Sequence, residues 1–184
     1  MKDRPAIGRR EFIRLAQAGM AALPLLPAAG RAEARADDAG GTEPGERPAS
    51  ATRARPYAKK VKLGLVGCGG RGTWISAFFA DHGGFSFSAV SDYFGERAVR
   101  AGAQLGVPEA MCFSGLDGYR RLMASGVEAV VLQTPPYFFP QHAEAALAAG
   151  LHIYMAKPVA IDIPGTQQIR SLAERATRER RVFQ

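Results

Sequence analysis

Beyond residue 60 the apolar positions fall into short dense runs separated by amphipathic stretches. "VKLGLV" (61–66) is almost continuously apolar, which predicts a buried parallel strand. After a glycine-rich turn, Trp74, Ile75, Phe78 and Phe79 recur at helical spacing up to the stop signal "DHGG". "FSFSAVSD" (85–92) alternates, placing Phe85, Phe87 and Ala89 on one face of a second strand that ends at Asp92. "GERAVRAGAQLG" is a polar helix closed by Gly106, "AMCF" a short third strand, and "DGYRRLMASG" a third helix. "EAVVLQ" is a strongly apolar fourth strand, and "PQHAEAALAAG" opens a helix whose Ala143, Ala146 and Ala149 permit close packing on a sheet. "HIYMA" is a fifth strand. From Asp162 a last helix sets Ile169, Leu172, Ala173 and Ala176 on one face, and "VFQ" follows as a candidate sixth strand.

Strands alternating with helices at short intervals predict a parallel sheet covered on both faces. Right-handed crossovers make this an α/β, doubly wound parallel sheet of the Rossmann type, with strand order 3-2-1-4-5-6. Ligands of such folds bind beyond the carboxyl ends of strands 1 and 4, where the winding reverses. Loops 67–72 and 133–139 both fall there.

The first sixty residues have a different character. Arg9 and Arg10 precede Phe12 and Ile13, an apolar stretch runs from Leu15 to Ala29, and "AEARA" offers a small-x-small cleavage site ending at Ala36. A basic start, a short apolar core and an A-x-A end describe an export signal over 1–36, and the arginine pair points to the twin-arginine (Tat) route. A periplasmic or exported destination follows. The other reading is an amphipathic helix with a chance Arg-Arg pair. Pro24 and Pro27 interrupt the stretch, which is too short for a stable membrane span. Residues 37–60 are rich in Gly, Pro, Ala and charge, so they read as a flexible linker. The domain proper is 61–184.

Charge changes this picture little. The net +7 is concentrated in the leader, where seven Lys/Arg face three Asp/Glu over 1–36. With 17 basic and 14 acidic residues after it, and no basic helix interleaved with aromatics, a nucleic-acid partner is not expected. Cys68 lies in the glycine stretch after strand one and Cys112 in a later apolar run, on strands that are not neighbours in the expected fold, so no disulfide is expected. His82, His142 and His152 lack metal-ligand spacing and read as surface or helix-end residues.

The glycine stretch carries the chemistry. Gly67, Gly69 and Gly72 match G-x-G-x-x-G between a strand and a helix. Gly67 allows a sharp turn, Gly69 lets backbone approach a pyrophosphate, and Gly72 lets the helix pack on the strand. The whole turn, Gly67, Cys68, Gly69, Gly70, Arg71 and Gly72, is the expected cofactor-binding loop. Asp92 closes strand two, 25 residues after Gly67, where a carboxylate accepts ribose hydroxyls and repels a 2′-phosphate. That favours NAD over NADP. The alternative for Asp92 is a helix-capping or turn aspartate.

"GLVGCGGRG", "AVSD", "AVVLQTPP" and "AALAAGLHIYMAKPVA", together with the leader, resemble the glucose–fructose oxidoreductase/inositol dehydrogenase (Gfo/Idh/MocA) family from about Val61 onward. The resemblance implies that Thr134–Pro135 lie beside the cofactor. It implies that Lys157–Pro158 are the end of a Glu-Lys-Pro motif whose lysine reaches the nicotinamide ribose and the substrate, making Lys157 both cofactor-binding and the candidate catalytic residue. Ala156 stands in place of the motif glutamate, and Tyr137 and Phe139 stand where relatives often carry histidines. The family continues into a second domain that supplies most of the substrate pocket, catalytic Asp and His, and the oligomer interface. It is expected to be missing from this chain, which ends at Gln184. Phe138 and Phe139 read as a packing surface, suited to such a domain.

Three functions stay open at this point. One is the NAD-binding half of an exported oxidoreductase acting on a sugar or polyol by hydride transfer. Another is an NAD-dependent glycosidase of the same family. The third is a non-catalytic or truncated dinucleotide-binding module. Lys157 likewise has a purely structural reading, as a lysine at a strand end held by Pro158.

Overall fold

A computed structural model describes residues 57–184, and the leader and most of the expected linker lie outside the described residues. The strands are β1 (Val61–Val66), β2 (Phe85–Asp92), β3 (Cys112–Ser114), β4 (Ala129–Leu132) and β5 (His152–Met155). The helices are α1 (Gly70–Asp81), α2 (Gly95–Leu105), α3 (Gly118–Met123), α4 (Phe139–Ala148) and α5 (Ile163–Arg178). All strand pairs are parallel, in the order β3-β2-β1-β4-β5. The chain end continues the sheet beside β5, because Ile153 N–H donates to Val182 O and Gln184 N–H to Ile153 O. The doubly wound order expected from the sequence is therefore present, with the sixth position reduced to a single bridge at Phe183.

Each face of the sheet has its own core. On one side Leu63, Leu65 and Val131 pack with Phe79 of α1 and Ala98 and Ala101 of α2. On the other, Val66, Val130 and Leu132 pack with α3, α4 and α5. β4 is fully buried on both faces, as its unbroken apolar run requires. Gly106, in the left-handed region at φ 70°, ends α2, and the Asp162 side chain caps α5 by accepting from Gly165 N–H at 2.7 Å. Tyr57, though on the linker side of Val61, packs on the first core and stacks on His82 at 5.2 Å.

Several side chains depart from the sequence pattern. β2 carries a bulge: Leu63 pairs with Phe87 but Gly64 with Ala89, leaving Ser88 without a partner residue on β1. Ala89 consequently packs in the second core and not with Phe85 and Phe87. In α1 the buried stripe is Gly72, Ser76 and Phe79, while Trp74 is 49% exposed and meets only the edge of Phe78. Small residues lead that stripe because the helix start must approach β1 closely. Ala149 is exposed, and α4 instead buries Phe139, His142, Ala143, Ala146 and Leu147.

Candidate functional site

The turn between β1 and α1 uses its glycines for three different reasons. Gly67 has φ 96°, and a Cβ there would come within 2.6 Å of the Gln133 carbonyl carbon. At Gly72 a Cβ would run into the Gly67 carbonyl oxygen. Around Gly69 and Gly70, by contrast, a Cβ would meet nothing within 4 Å. The first and last glycines are demanded by the protein's own backbone, and the middle pair leaves an open cradle.

That cradle lies at the start of α1. Gly69 is the N-cap, no side chain caps the helix, and its first turn holds no acidic residue. The leading N–H groups of a helix have no partner within it and carry its positive end. Arg71, exposed in the same turn, adds charge of the sign that an isolated helix start disfavours and an anion favours. An open backbone cradle with this polarity fits the pyrophosphate of a dinucleotide.

Asp92 faces the turn from the end of β2. Its Oδ2 accepts the Cys68 N–H at 2.7 Å and its Oδ1 accepts the Phe94 N–H at 3.0 Å. The Cys68 thiol donates to Ser91 O at 3.4 Å. Burial, then the Asp92 charge, push that thiol up to about 12, against a smaller opposing effect of the Ser91 bond. Cys68 is thus a protonated filler that offers its backbone N–H, not a nucleophile. Beyond Asp92 an open cleft of about 520 Å³ is lined by Phe94, Gly95, Glu96, Arg97 and Arg100. The Arg97 guanidinium lies over the Phe94 ring, 4.7 Å from its centroid.

The loop after β4 forms the opposite wall. Gln133 N–H donates to Val66 O at 2.8 Å, which ties this loop to the end of β1. Gln133 Cβ lies 3.5 Å from the Cβ position of Gly72, and its Oε1 is buried without a hydrogen-bond partner. Thr134 N lies 2.8 Å from the Cβ position of Gly67, and Thr134 Oγ1 is 3.1 Å from His142 Nδ1. Pro135 is exposed and starts the 3-10 turn Pro136–Phe138. Lys157 is exposed just past β5, where Ala156 N–H donates to Leu132 O at 3.3 Å. Ala156 is half-buried against the second core.

The fold therefore gathers the residues 67–72, Asp92 and Thr134 around one end of the sheet, with Lys157 at the neighbouring strand end. Two expectations are corrected. His142 and His152 are buried, not surface residues: His142 lies on the inner stripe of α4, and His152 accepts the Val182 N–H at 2.9 Å. Phe139 is 1% exposed and belongs to the core, so of that loop's aromatic residues Phe138, half-buried, and Tyr137, 67% exposed, remain at the surface. The burial of His142 was missed, although positions 139, 142, 143 and 146 follow the i, i+3, i+4, i+7 pattern of a buried stripe. Among the described residues no helix is long and apolar enough to cross a membrane. No group of three or more His, Cys, Asp or Glu among them could hold a metal ion.

Comparison with known proteins agrees with this fold. The family model for the Gfo/Idh/MocA oxidoreductases, described as an NAD-binding Rossmann fold, matches residues 61–184. The chain belongs to the Gfo/Idh/MocA family. An inositol dehydrogenase homolog complexed with NAD+ from Azotobacter vinelandii is 29% identical, with a TM-score of 0.57 over 67% of this chain and 33% of that one. A UDP-N-acetylglucosamine 3-dehydrogenase from Acidithiobacillus ferrooxidans is 27% identical, with a TM-score of 0.55 over 67% of this chain and 37% of that one. A glycosyl hydrolase family 109 protein of Streptomyces coelicolor is 29% identical over 98% of this chain. The chain spans 38% of that relative's length.

Proposed function

We propose that this chain is the NAD-binding portion of an exported Gfo/Idh/MocA oxidoreductase acting on a sugar or polyol. The observation that carries the reading is the open cradle at Gly69–Gly70, set at an uncapped helix start and faced by Asp92. Gly69, Gly70 and Arg71 would hold the pyrophosphate, and Asp92 the adenosine ribose. Thr134 and Pro135 would border the nicotinamide half. Bound NAD supplies an acceptor for hydride leaving a substrate carbon. Lys157, exposed beyond β5, would bind the nicotinamide ribose and assist a proton at the substrate oxygen.

Asp92 supports NAD over NADP, since a 2′-phosphate would meet its charge. Arg97 and Arg100 in the adjoining cleft favour the second reading, NADP, because an arginine there can receive that phosphate. Calorimetric titration of the purified chain decides between them. NAD is expected to bind more tightly, and tighter binding of NADP would refute the assignment of Asp92.

Substrate class comes from the dehydrogenase relatives, and the glycosidase alternative from the Streptomyces coelicolor relative. Net reduction of NAD by a sugar would support the oxidoreductase. Bond hydrolysis that needs NAD but leaves it unchanged overall would support the glycosidase. Export rests on Arg9 and Arg10. In an Arg9→Lys, Arg10→Lys double variant the precursor should stay in the cytoplasm on cell fractionation, and normal export would count against the Tat route.

A further inference from the structure

His142 is 6% exposed, yet its hydrogen-bonding partner is not in its own helix. The ring stacks on Phe138 with centroids 5.7 Å apart and planes 12° apart, and Tyr119 of α3 closes on it at 4.3 Å. Two aromatic rings thus fix its plane. Its Nδ1 is then aimed at Thr134 Oγ1, 3.1 Å away, in the loop that backs the glycine turn. Thr134 is only half-buried, and its backbone nitrogen lies beside Gly67. β2, which carries Asp92, lies on one side of β1 and β4 on the other. A dinucleotide with its adenosine at Asp92 therefore lays its nicotinamide half toward Thr134.

We infer that His142 is a positioning residue that fixes the Thr134 hydroxyl for a polar contact with the nicotinamide half of the dinucleotide, an inference that rests on the NAD-binding reading above. An isolated threonine side chain samples several rotamers, and its hydroxyl hydrogen rotates freely. An imidazole clamped between two rings selects one of those arrangements. A neutral imidazole also presents Nδ1 either as a donor or as an acceptor. Thr134 accordingly offers the ligand one defined polar role and not an average of two. Burial, and behind it the charge of Arg120, lower His142 to about 4, which keeps the ring neutral at ordinary pH. Gln141 of the same helix donates to the Tyr119 hydroxyl at 3.2 Å and holds that ring in place.

The test compares NAD with ADP, which has the adenosine half and pyrophosphate but neither the second ribose nor the nicotinamide, on the full chain by calorimetry. His142→Phe should weaken NAD about tenfold and leave ADP unchanged. Thr134→Val should do the same, and the double variant should be no worse than either single one. His142→Asn, whose amide reaches the Nδ1 position, should recover most of the loss. Equal losses for NAD and ADP, or no rescue by Asn, would reduce His142 to a core residue and overturn the inference. Thr134→Val is half-exposed and keeps the comparison decisive if His142→Phe does not fold. Wild-type protein that binds NAD and ADP, with variants whose NAD affinity is unchanged, overturns the inference alone. Wild-type protein that binds neither ligand overturns the NAD reading itself.

Discussion

Asp92 Oδ2 receives the Cys68 N–H at 2.7 Å, so the carboxylate at the end of one strand is fastened to the turn that follows another. Its other oxygen holds the Phe94 N–H at 3.0 Å. The carboxylate is thereby oriented by protein alone, with further lone pairs left for a ribose. The capping role and the proposed ribose role are compatible, since the first orients the group for the second.

Asp92→Asn separates the two contributions. One amide oxygen can serve only one of the two N–H groups well, and the amide NH₂ would confront the other. The expected cost is about 1–3 kcal/mol of stability, with weaker NAD binding and a narrower preference over NADP. Denaturant unfolding and calorimetry measure these separately. Unchanged stability would show that the Cys68 and Phe94 contacts carry little energy.

Gly69 and Gly72 should respond in opposite ways. Gly69→Val fills open space, so the melting temperature should hold while NAD affinity falls at least tenfold. Gly72→Ala sets a methyl against the Gly67 carbonyl, so the melting temperature itself should drop. Differential scanning fluorimetry with and without NAD distinguishes them. A stable Gly69→Val protein with full affinity would remove the pyrophosphate assignment.

Cys68 should resist alkylation in the native protein. With its thiol near 12, the thiolate fraction at pH 8 is on the order of one in ten thousand, and the sulfur is buried. Cys112 is also raised, by burial and Glu109, but it is partly exposed. Brief treatment with iodoacetamide followed by mass spectrometry should find label on Cys112 well before Cys68. Early labelling of Cys68 would mean that the turn opens.

His142 makes stability depend on acid. Its folded value of about 4 lies below the ordinary 6.5, so the unfolded chain takes up a proton first. The stability is fully present above 6.5 and is lost as pH falls toward about 4, by on the order of 3 kcal/mol at most. Denaturant midpoints between these two pH values should decline in the wild type and flatten in His142→Phe. Parallel slopes would assign the acid sensitivity to other groups.

The parts of this domain that were legible in the sequence are those in which a residue's neighbours along the chain decide its role. The run 61–66 and the fully buried β4 announce themselves because both faces of each strand are covered. Gly67 and Gly72 answer backbone demands within six residues of each other, although the Gln133 carbonyl that confronts Gly67 arrives from a distant loop. Trp74 misled because size suggested burial, whereas close approach of α1 to β1 selects the small residues of the other face. His142 was hidden by its type: a polar ring reads as exposed until Phe138 and Tyr119, from two other segments, enclose it. The bulge at Ser88 left no local mark at all.

That bulge gives β2 one residue more than its partner needs. Pairing resumes at Gly64–Ala89 and reaches Val66–Ser91 in step, which delivers Asp92 beside the glycine turn. If Ser88 were drawn into the ladder, every later residue would slip by one and Asp92 would point to the opposite face. Removing Ser88 entirely, however, leaves the surviving pairs as they are, and its buried hydroxyl has no hydrogen bond to lose. The strand thus has unequal tolerance to shortening: a deletion at 88 should keep the Asp92 carboxylate in place, while a deletion at Val90 should misdirect it. Chain length between the turn and Asp92 is therefore adjustable at one point and fixed beyond it.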